Sequence, residues 1–209
     1  MADTGSAFVA LGAAEIAALA SAVDEGQRYL LGEALGAGFS HLDRSAEAYG
    51  MSTLAARGAL DLDAERLQPA GPFAAIAHAL TRAHRAVIVL PANGRSEPFL
   101  VLVTPQIAVI VGRRPRLVYH FAALPGGSPV DALAAAVDEL LDSAGEGEWV
   151  EVTAWGRAPG SNETLRVQRA ADGDTYLLSS GEPDEAAEPA DDAALIEELE
   201  SMLELEEGQ

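Results

Sequence analysis

Apolar and polar positions alternate most clearly between residues 85 and 124, where short apolar runs are separated by turn-forming residues. The runs lie at residues 86–90, 99–103, 107–111 and 117–121. Asn93-Gly94 favours the positive φ angles of a tight turn. Pro105 and Pro115 lack the amide proton that the interior of a strand needs. The pattern predicts an antiparallel meander of four strands.

Helical periodicity precedes and follows this meander. Helices are predicted at residues 13–23, 27–35, 46–57, from Gly71-Pro72 onward and at 130–143. Proline is favoured at the first helical position because its missing amide proton would have no partner there. Further strands are predicted by alternating runs at residues 148–155, 164–170 and 175–179. Gly173, between two aspartates, predicts a hairpin turn.

These elements define an α+β fold class, in which N-terminal helices are followed by two helix-then-antiparallel-meander halves that form a mostly antiparallel sheet. Gly71-Pro72 and Ser128-Pro129 each open a helix that precedes a meander. We therefore expect a globular domain over residues 1–180, with halves at 46–124 and 125–180 related by a pseudo-twofold axis. One mixed or antiparallel sheet with helices on one side fits the pattern equally well.

The C-terminal segment differs in character from the rest of the chain. Residues 181–192 contain two prolines, six acidic residues and no aromatic residue, which is typical of a disordered linker. Residues 193–205 place large apolar side chains on one helical face and glutamates around the others. The apolar face consists of Leu195, Ile196, Leu199, Met202 and Leu203. Because an isolated helix of this length is marginal in water, we predict a docking helix that orders on the chain's own body or on a partner.

The net charge of −20 is concentrated at the C-terminus. Twelve of the 33 acidic residues and none of the 13 basic residues lie from Glu182 onward, so this segment carries −12 and the remainder carries −8. A nucleic-acid binder needs a basic surface to release counterions, and the sequence has a single basic cluster. This cluster, Arg113, Arg114 and Arg116, is either a solvated turn or an anchor for an acidic segment such as the chain's own tail.

Targeting and catalytic signals are missing from the sequence. There is no apolar run of 18 residues and no basic signal-peptide region, so we expect a cytoplasmic protein that binds no membrane. The chain has no cysteine, and the six-residue spacing of His78 and His84 places them on different faces of a helix. No zinc-protease or nucleophile-elbow motif occurs. We therefore expect no catalytic residue, no metal site and no cofactor.

Three segments resemble, in their order, the EspG-type chaperones of type VII secretion. They are residues 53–60 (TLAARGAL), 73–80 (FAAIAHAL) and 117–121 (LVYHF). In that family a helix with an arginine-glycine-leucine-like end precedes another helix and a run of antiparallel strands, in two quasi-symmetric α/β halves. The resemblance covers residues 46–179 and implies a chaperone that holds a protein client. The N-terminal pair of helices, the acidic tail and the shorter length depart from the family pattern.

The leading hypothesis is a non-enzymatic cytosolic chaperone or adaptor that binds another protein chain, for example a secretion-system client. The acidic charge also fits an immunity-type inhibitor of a basic toxin, because opposite charges speed association. A small ligand-binding domain or enzyme is the remaining alternative. Its site would be assembled from His120, Tyr119, Arg116, Trp149 and Trp155.

Overall fold

The computed structural model describes residues 8–36, 43–61, 68–91, 97–114, 118–124, 128–145, 147–171, 173, 175–180 and 186–204. The helices of this part of the chain are α1 (Ala13–Leu19), α2 (Glu25–Leu35), α3 (Arg44–Ala56), α4 (Pro72–Arg82), α5 (Pro129–Ser143) and α6 (Asp192–Leu203). The strands are β1 (Val9–Gly12), β2 (Leu60–Asp61), β3 (Gln68–Pro69), β4 (Arg85–Pro91), β5 (Phe99–Val103), β6 (Ala108–Arg114), β7 (Val118–Ala123), β8 (Trp149–Trp155), β9 (Asn162–Arg169), β10 (Tyr176–Ser179) and β11 (Glu188–Ala190).

Nine strands form one sheet in the order β1-β7-β6-β5-β4-β8-β9-β10-β11, and each neighbouring pair is antiparallel. The first meander, β4 to β7, follows α4, and the second, β8 to β11, follows α5. The two meanders join at the centre of the sheet, where β4 pairs with β8 and Val87 lies opposite Ala154. The α+β class with two helix-then-meander halves is therefore confirmed. Strands β2 and β3 form a separate small ladder.

Helices cover both faces of the sheet, so the alternative with helices on one side is wrong. On β4, Ala86 and Ile88 pack into a cluster with α1 to α4, whereas Val87 and Val89 pack into a second cluster with α5 and α6. The physical reason is that β4 reads as a nearly continuous apolar run, which is typical of a strand buried on both faces. Every helix nevertheless covers only part of a face: α2 lies over β4 and β8, and α4 lies over β5 to β7.

Strand β6 is longer than its sequence indicates. Gly112, Arg113 and Arg114, which we expected in a turn, pair with His120, Tyr119 and Val118 of β7. Strand β1 was not predicted either, because Val9–Gly12 reads as the approach to a helix and its ladder partner, β7, lies over a hundred residues later in the chain. The helix that follows it ends at Leu19, not at residue 23.

The expectation of a disordered linker at residues 181–192 is wrong at Glu188–Ala190, which forms β11 on β10. Pro189 is tolerated because an edge strand needs amide donors on one side only. Residues 181–185 lie outside the described residues. The helix expected at 193–205 is observed as Asp192–Leu203, and its first turn is capped by the Asp191 carboxylate, which accepts a hydrogen bond from the Ala194 amide at 2.9 Å.

Candidate functional site

Helix α6 is docked on the chain's own body. Leu195, Leu199 and Met202 are buried in the cluster formed with α5 and the second meander, and Leu203 is half-buried beside it. Ile196 is 37% exposed. A partner can therefore reach Ile196 directly, but it can reach the three buried side chains only after α6 leaves the body. The role of these five residues in partner binding stays a prediction.

The C-terminal end of α6 is held by the segment that begins β4. The Arg85 guanidinium donates from Nε to the Glu204 carbonyl at 3.3 Å, from Nη1 to the Ser161 carbonyl at 3.4 Å and from Nη2 to the Glu163 carboxylate at 3.3 Å. His84 Nε2 lies 3.4 Å from the Leu203 carbonyl. The contacts with the Leu203 and Glu204 carbonyls satisfy acceptors that the last turn of a helix leaves without intrahelical partners, and Arg85 places positive charge at the negative end of α6.

Arg113 lies away from the part of the acidic tail that the structure describes. Arg113 is exposed and sits opposite Tyr119, on the face covered by α1 to α4. Its side chain reaches the end of α2, since a Cβ built on Gly36 would lie 3.4 Å from Nη1 of Arg113. Helix α6 packs on the other face of the sheet. Arg113 therefore does not anchor the described part of the chain's own tail, residues 186–204. The side chain of Arg114 and all of Arg116 lie outside the described residues.

The described residues of the enzyme alternative, all but Arg116, are not brought together. Tyr119 and His120 are neighbours on β7 and so point to opposite faces. The Tyr119 hydroxyl donates to the Leu35 carbonyl at 2.8 Å, and burial raises its pKa, whereas the His120 ring lies beside Phe8. Trp149 and Trp155 lie at the two ends of β8, which is separated from β7 by three strands.

Neither a metal cluster nor a membrane span is found in the part of the chain that the structure describes. No three histidine, aspartate or glutamate side chains of these residues are arranged to hold an ion. None of the helices in the same ranges has the length and apolar character needed to cross a bilayer.

The second meander has an open face, of which the sequence analysis named only Trp149, as part of the ligand-binding alternative. We call it the Trp149 face and define it by cross-strand neighbours, which share one side of a sheet: Trp149, Glu151, Arg166, Gln168 and Leu177. Helices α1 to α4 cover the same side of the sheet over β4 to β7 and over the Trp155 end of β8. Trp149 is 42% exposed, and the other four side chains are half-buried. The signal in the sequence was the outward position of Trp149 in the alternating run EWVEVTAW.

Arg166 organises the Trp149 face. Its guanidinium carbon lies 5.4 Å from the centre of the Trp149 ring, and its Nε lies 3.5 Å from the Glu151 carboxylate. A cation stacked on an indole and held by a carboxylate loses little conformational freedom when a partner covers it. Exposed tryptophan and arginine are also the side chains that contribute most often to protein–protein binding energy. The arrangement therefore suits contact with another protein.

Comparison with known proteins shows a similarity of fold. No family model matches the sequence, and no curated protein sequence matches it. Among solved structures, the Mycobacterium tuberculosis type VII secretion system chaperone EspG5, solved in complex with the PE25–PPE41 dimer, has 12% sequence identity and a TM-score of 0.56. The alignment covers 97% of this chain and 98% of that one. The resemblance to EspG-type chaperones is thus confirmed at the level of the fold.

Proposed function

We propose that the protein is a non-enzymatic, cytosolic chaperone or adaptor that holds another protein chain, and that its client belongs to a secretion system. The observation that carries this proposal is the shared fold with EspG5, which extends over nearly the full length of both chains. EspG5 was solved while holding the PE25–PPE41 dimer. A PE–PPE-type pair is therefore the first class of client to test.

The Trp149 face is the surface that we assign to the client. Its central charge, Arg166, is already balanced by Glu151, so a client can cover it without leaving an unpaired buried cation. The exposed part of Trp149 then supplies the apolar contact area. Ile196 of α6 and Arg113 of β6 are further exposed candidates, on other parts of the surface.

The test is reconstitution of a complex with the full chain. The chain is co-expressed with PE–PPE-type pairs from its own genome, and complex formation is measured by size-exclusion chromatography with light scattering. We expect a stoichiometric complex with the intact chain and its loss with Trp149→Ala. The matched control is Tyr49→Ala, which removes an aromatic side chain of 70% exposure from α3.

Two results would contradict the proposal. A complex that survives both Trp149→Ala and Arg166→Ala with unchanged affinity would remove the Trp149 face as the client surface. Failure to bind any secreted client, together with tight inhibition of a toxin encoded beside the gene, would favour the immunity-type inhibitor.

A further inference from the structure

Helix α6 lies in an apolar groove on the side of the second meander opposite the Trp149 face. Its Leu195, Leu199 and Met202 belong to one apolar cluster with side chains of α5, β9 and β10, and the helix contacts α5, β10 and β11. A spacing of four and then three residues is that of the anchors of an amphipathic helix bound in a groove. The groove is therefore shaped for such a helix, whichever chain supplies it.

Few side chains hold α6 in this groove. Three of its 12 residues are buried, whereas Ile196 and the glutamates between the anchors are exposed. A helix of this length is marginal in water by itself, so α6 unfolds when it leaves the body. Local opening of one such segment requires less free energy than unfolding of the whole domain. The groove can therefore be vacated while the sheet stays folded.

The charge of α6 opposes the charge of α5, the helix beside it. Each helix contains four acidic residues, and neither contains a basic one. They are Asp131, Asp138, Glu139 and Asp142 of α5, and Asp192, Glu197, Glu198 and Glu200 of α6. Like charges on adjacent helices repel each other. The segment that fills the groove is thus matched to it in apolar shape but not in charge.

The acidic side chains of the two helices meet at Tyr176. The Tyr176 hydroxyl donates to the Asp138 carboxylate at 2.8 Å. Burial raises the pKa of this hydroxyl, and the carboxylates of Asp138 and Asp192 raise the pKa further. Arg169 forms ion pairs with Asp138 and Asp142, but a single guanidinium cannot balance three carboxylates. Negative charge therefore remains where α6 contacts the body.

A cavity of about 400 Å³ lies beside α6 and adds carboxylates of the body to the groove. Its lining includes the buried side chains of Leu165 and Leu178 and the acidic residues Glu163 and Glu188. Glu163 is paired with Arg85. An apolar stem that ends in a cation, as in lysine or arginine, matches a lining of this kind.

We propose that this groove is a binding site for a basic amphipathic helix of another protein, and that α6 occupies it as an autoinhibitory segment until that helix arrives. The apolar side chains of the partner helix replace Leu195, Leu199 and Met202, and its lysines or arginines lie against the acidic residues of α5. Charge complementarity selects this occupant, because a basic helix removes the repulsion that α6 creates. The site goes beyond the proposed client function, since it lies opposite the Trp149 face and requires no client.

The first experiment measures the binding of synthetic peptides to the full chain by fluorescence anisotropy. The basic probe has the sequence of residues 191–204 with Glu197→Lys, Glu198→Lys and Glu200→Lys. One control peptide keeps the natural sequence, and the other is the basic probe with Leu199→Ser. We expect the basic probe to bind at least about tenfold more tightly than either control.

Each control peptide can overturn the proposal. Equal binding of the basic probe with and without Leu199→Ser would mean that the probe is attracted to an acidic protein without entering the groove. Equal or tighter binding of the natural sequence would mean that charge does not select the occupant, and it would point to exchange of α6 between two copies of the chain.

The second experiment repeats the titration with two full-length variants. Leu199→Asp places a charge on the buried anchor and so releases α6, whereas Ile196→Asp adds the same charge at an exposed position of the same helix. Circular dichroism checks that both variants remain folded. We expect the basic probe to bind Leu199→Asp at least about tenfold more tightly than the wild type or Ile196→Asp. Equal binding to all three chains, or binding to none, overturns the proposal.

Hydrogen exchange in the wild type tests displacement without any substitution. We expect the amides of Leu199 and Met202 to exchange faster when the basic probe is bound, because α6 has left the groove and unfolded. The amide of Leu80 in α4 is the control and should exchange at an unchanged rate. A bound probe that leaves exchange in α6 unchanged occupies another surface, and this result would also overturn the proposal.

Discussion

The Arg85 guanidinium lies 3.3 Å from the carbonyl oxygen of Glu204, a residue 119 positions later in the chain. Arg85 is the only arginine among the buried polar residues of the described ranges, with 6% of its surface exposed. It connects the start of β4, the hairpin between β8 and β9, and the end of α6. One side chain thus joins both meanders to the C-terminal helix.

Replacing Arg85 with methionine should destabilise the fold. The change keeps most of the apolar volume but removes the Arg85 donor from the Glu204 carbonyl and leaves the Ser161 carbonyl with the Gly156 amide alone. We therefore expect a loss of about 2–4 kcal/mol in the free energy of unfolding. Urea denaturation measures it. Arg157→Met, which removes an exposed ion pair with Asp24, is the control and should leave stability nearly unchanged. Equal effects of the two changes would contradict the role of Arg85.

Folding stability should fall in mild acid because of His84. Burial lowers the pKa of His84 below its ordinary value, and the neighbouring Arg85 charge lowers it further, although the Leu203 carbonyl opposes the shift. The unfolded chain then binds a proton at His84 more readily than the folded chain does. The contribution of neutral His84 to the free energy of unfolding is therefore complete above the ordinary pKa of 6.5 and is lost as the pH falls through the folded-state pKa.

The measurement is the stability difference between the wild type and His84→Gln. Glutamine does not titrate, so we expect the difference to shrink as the pH is lowered from about 8 to about 5. His78→Gln, on the surface of α4 where His78 bonds to Gln106, is the control. A difference that is constant with pH would refute the assignment.

The apolar face of α6 should contribute to stability unequally. Leu199 is fully buried, so Leu199→Ala should cost about 2–5 kcal/mol of unfolding free energy. Ile196 is 37% exposed, and Ile196→Ala should cost less than about 1 kcal/mol. Thermal melting of the two variants compares them. Similar losses would show that α6 is not docked as described.

Two glycines within helices should respond to alanine in opposite directions. A Cβ on Gly50 of α3 would lie 2.0 Å from the Ala14 carbonyl oxygen, so Gly50→Ala must push α3 away from α1 and should cost about 1–3 kcal/mol. A Cβ on Gly32 of α2 meets nothing within 4 Å. Gly32→Ala should therefore stabilise the protein by roughly 0.5–1 kcal/mol. Urea denaturation of both variants tests the pair, and a stabilising Gly50→Ala would contradict the close approach.

The central sheet could be predicted from the sequence because its information is local. The alternating runs and the turn residues between them set β4 to within one residue at each end and β5 (Phe99–Val103) without error. They placed β6 and β7 but missed two or three residues at the C-terminal end of each strand. Strands β1 and β11 could not be predicted in the same way. Each is short, and among the described residues it pairs with one strand, β7 for β1 and β10 for β11.

The candidate site was harder to predict than the fold, for the same reason. Alternation shows that Trp149 points away from Val150, but it does not show which side of the sheet lacks a helix. That depends on where α2 ends over β8. Arg85 reads in the sequence as an ordinary strand start, and its contact with Glu204 appears only after α6 has docked.

The pairing of β1 with β7 also has a consequence for synthesis on the ribosome. Val9 emerges 112 residues before its ladder partner Phe121, an interval of roughly 6–22 s at ~5–20 residues per second. During this time α1 to α4 are present without the complete first meander that buries their apolar faces. A nascent chain stalled before β7 therefore leaves these apolar faces exposed, so aggregation or capture by a ribosome-associated factor competes with folding at that stage.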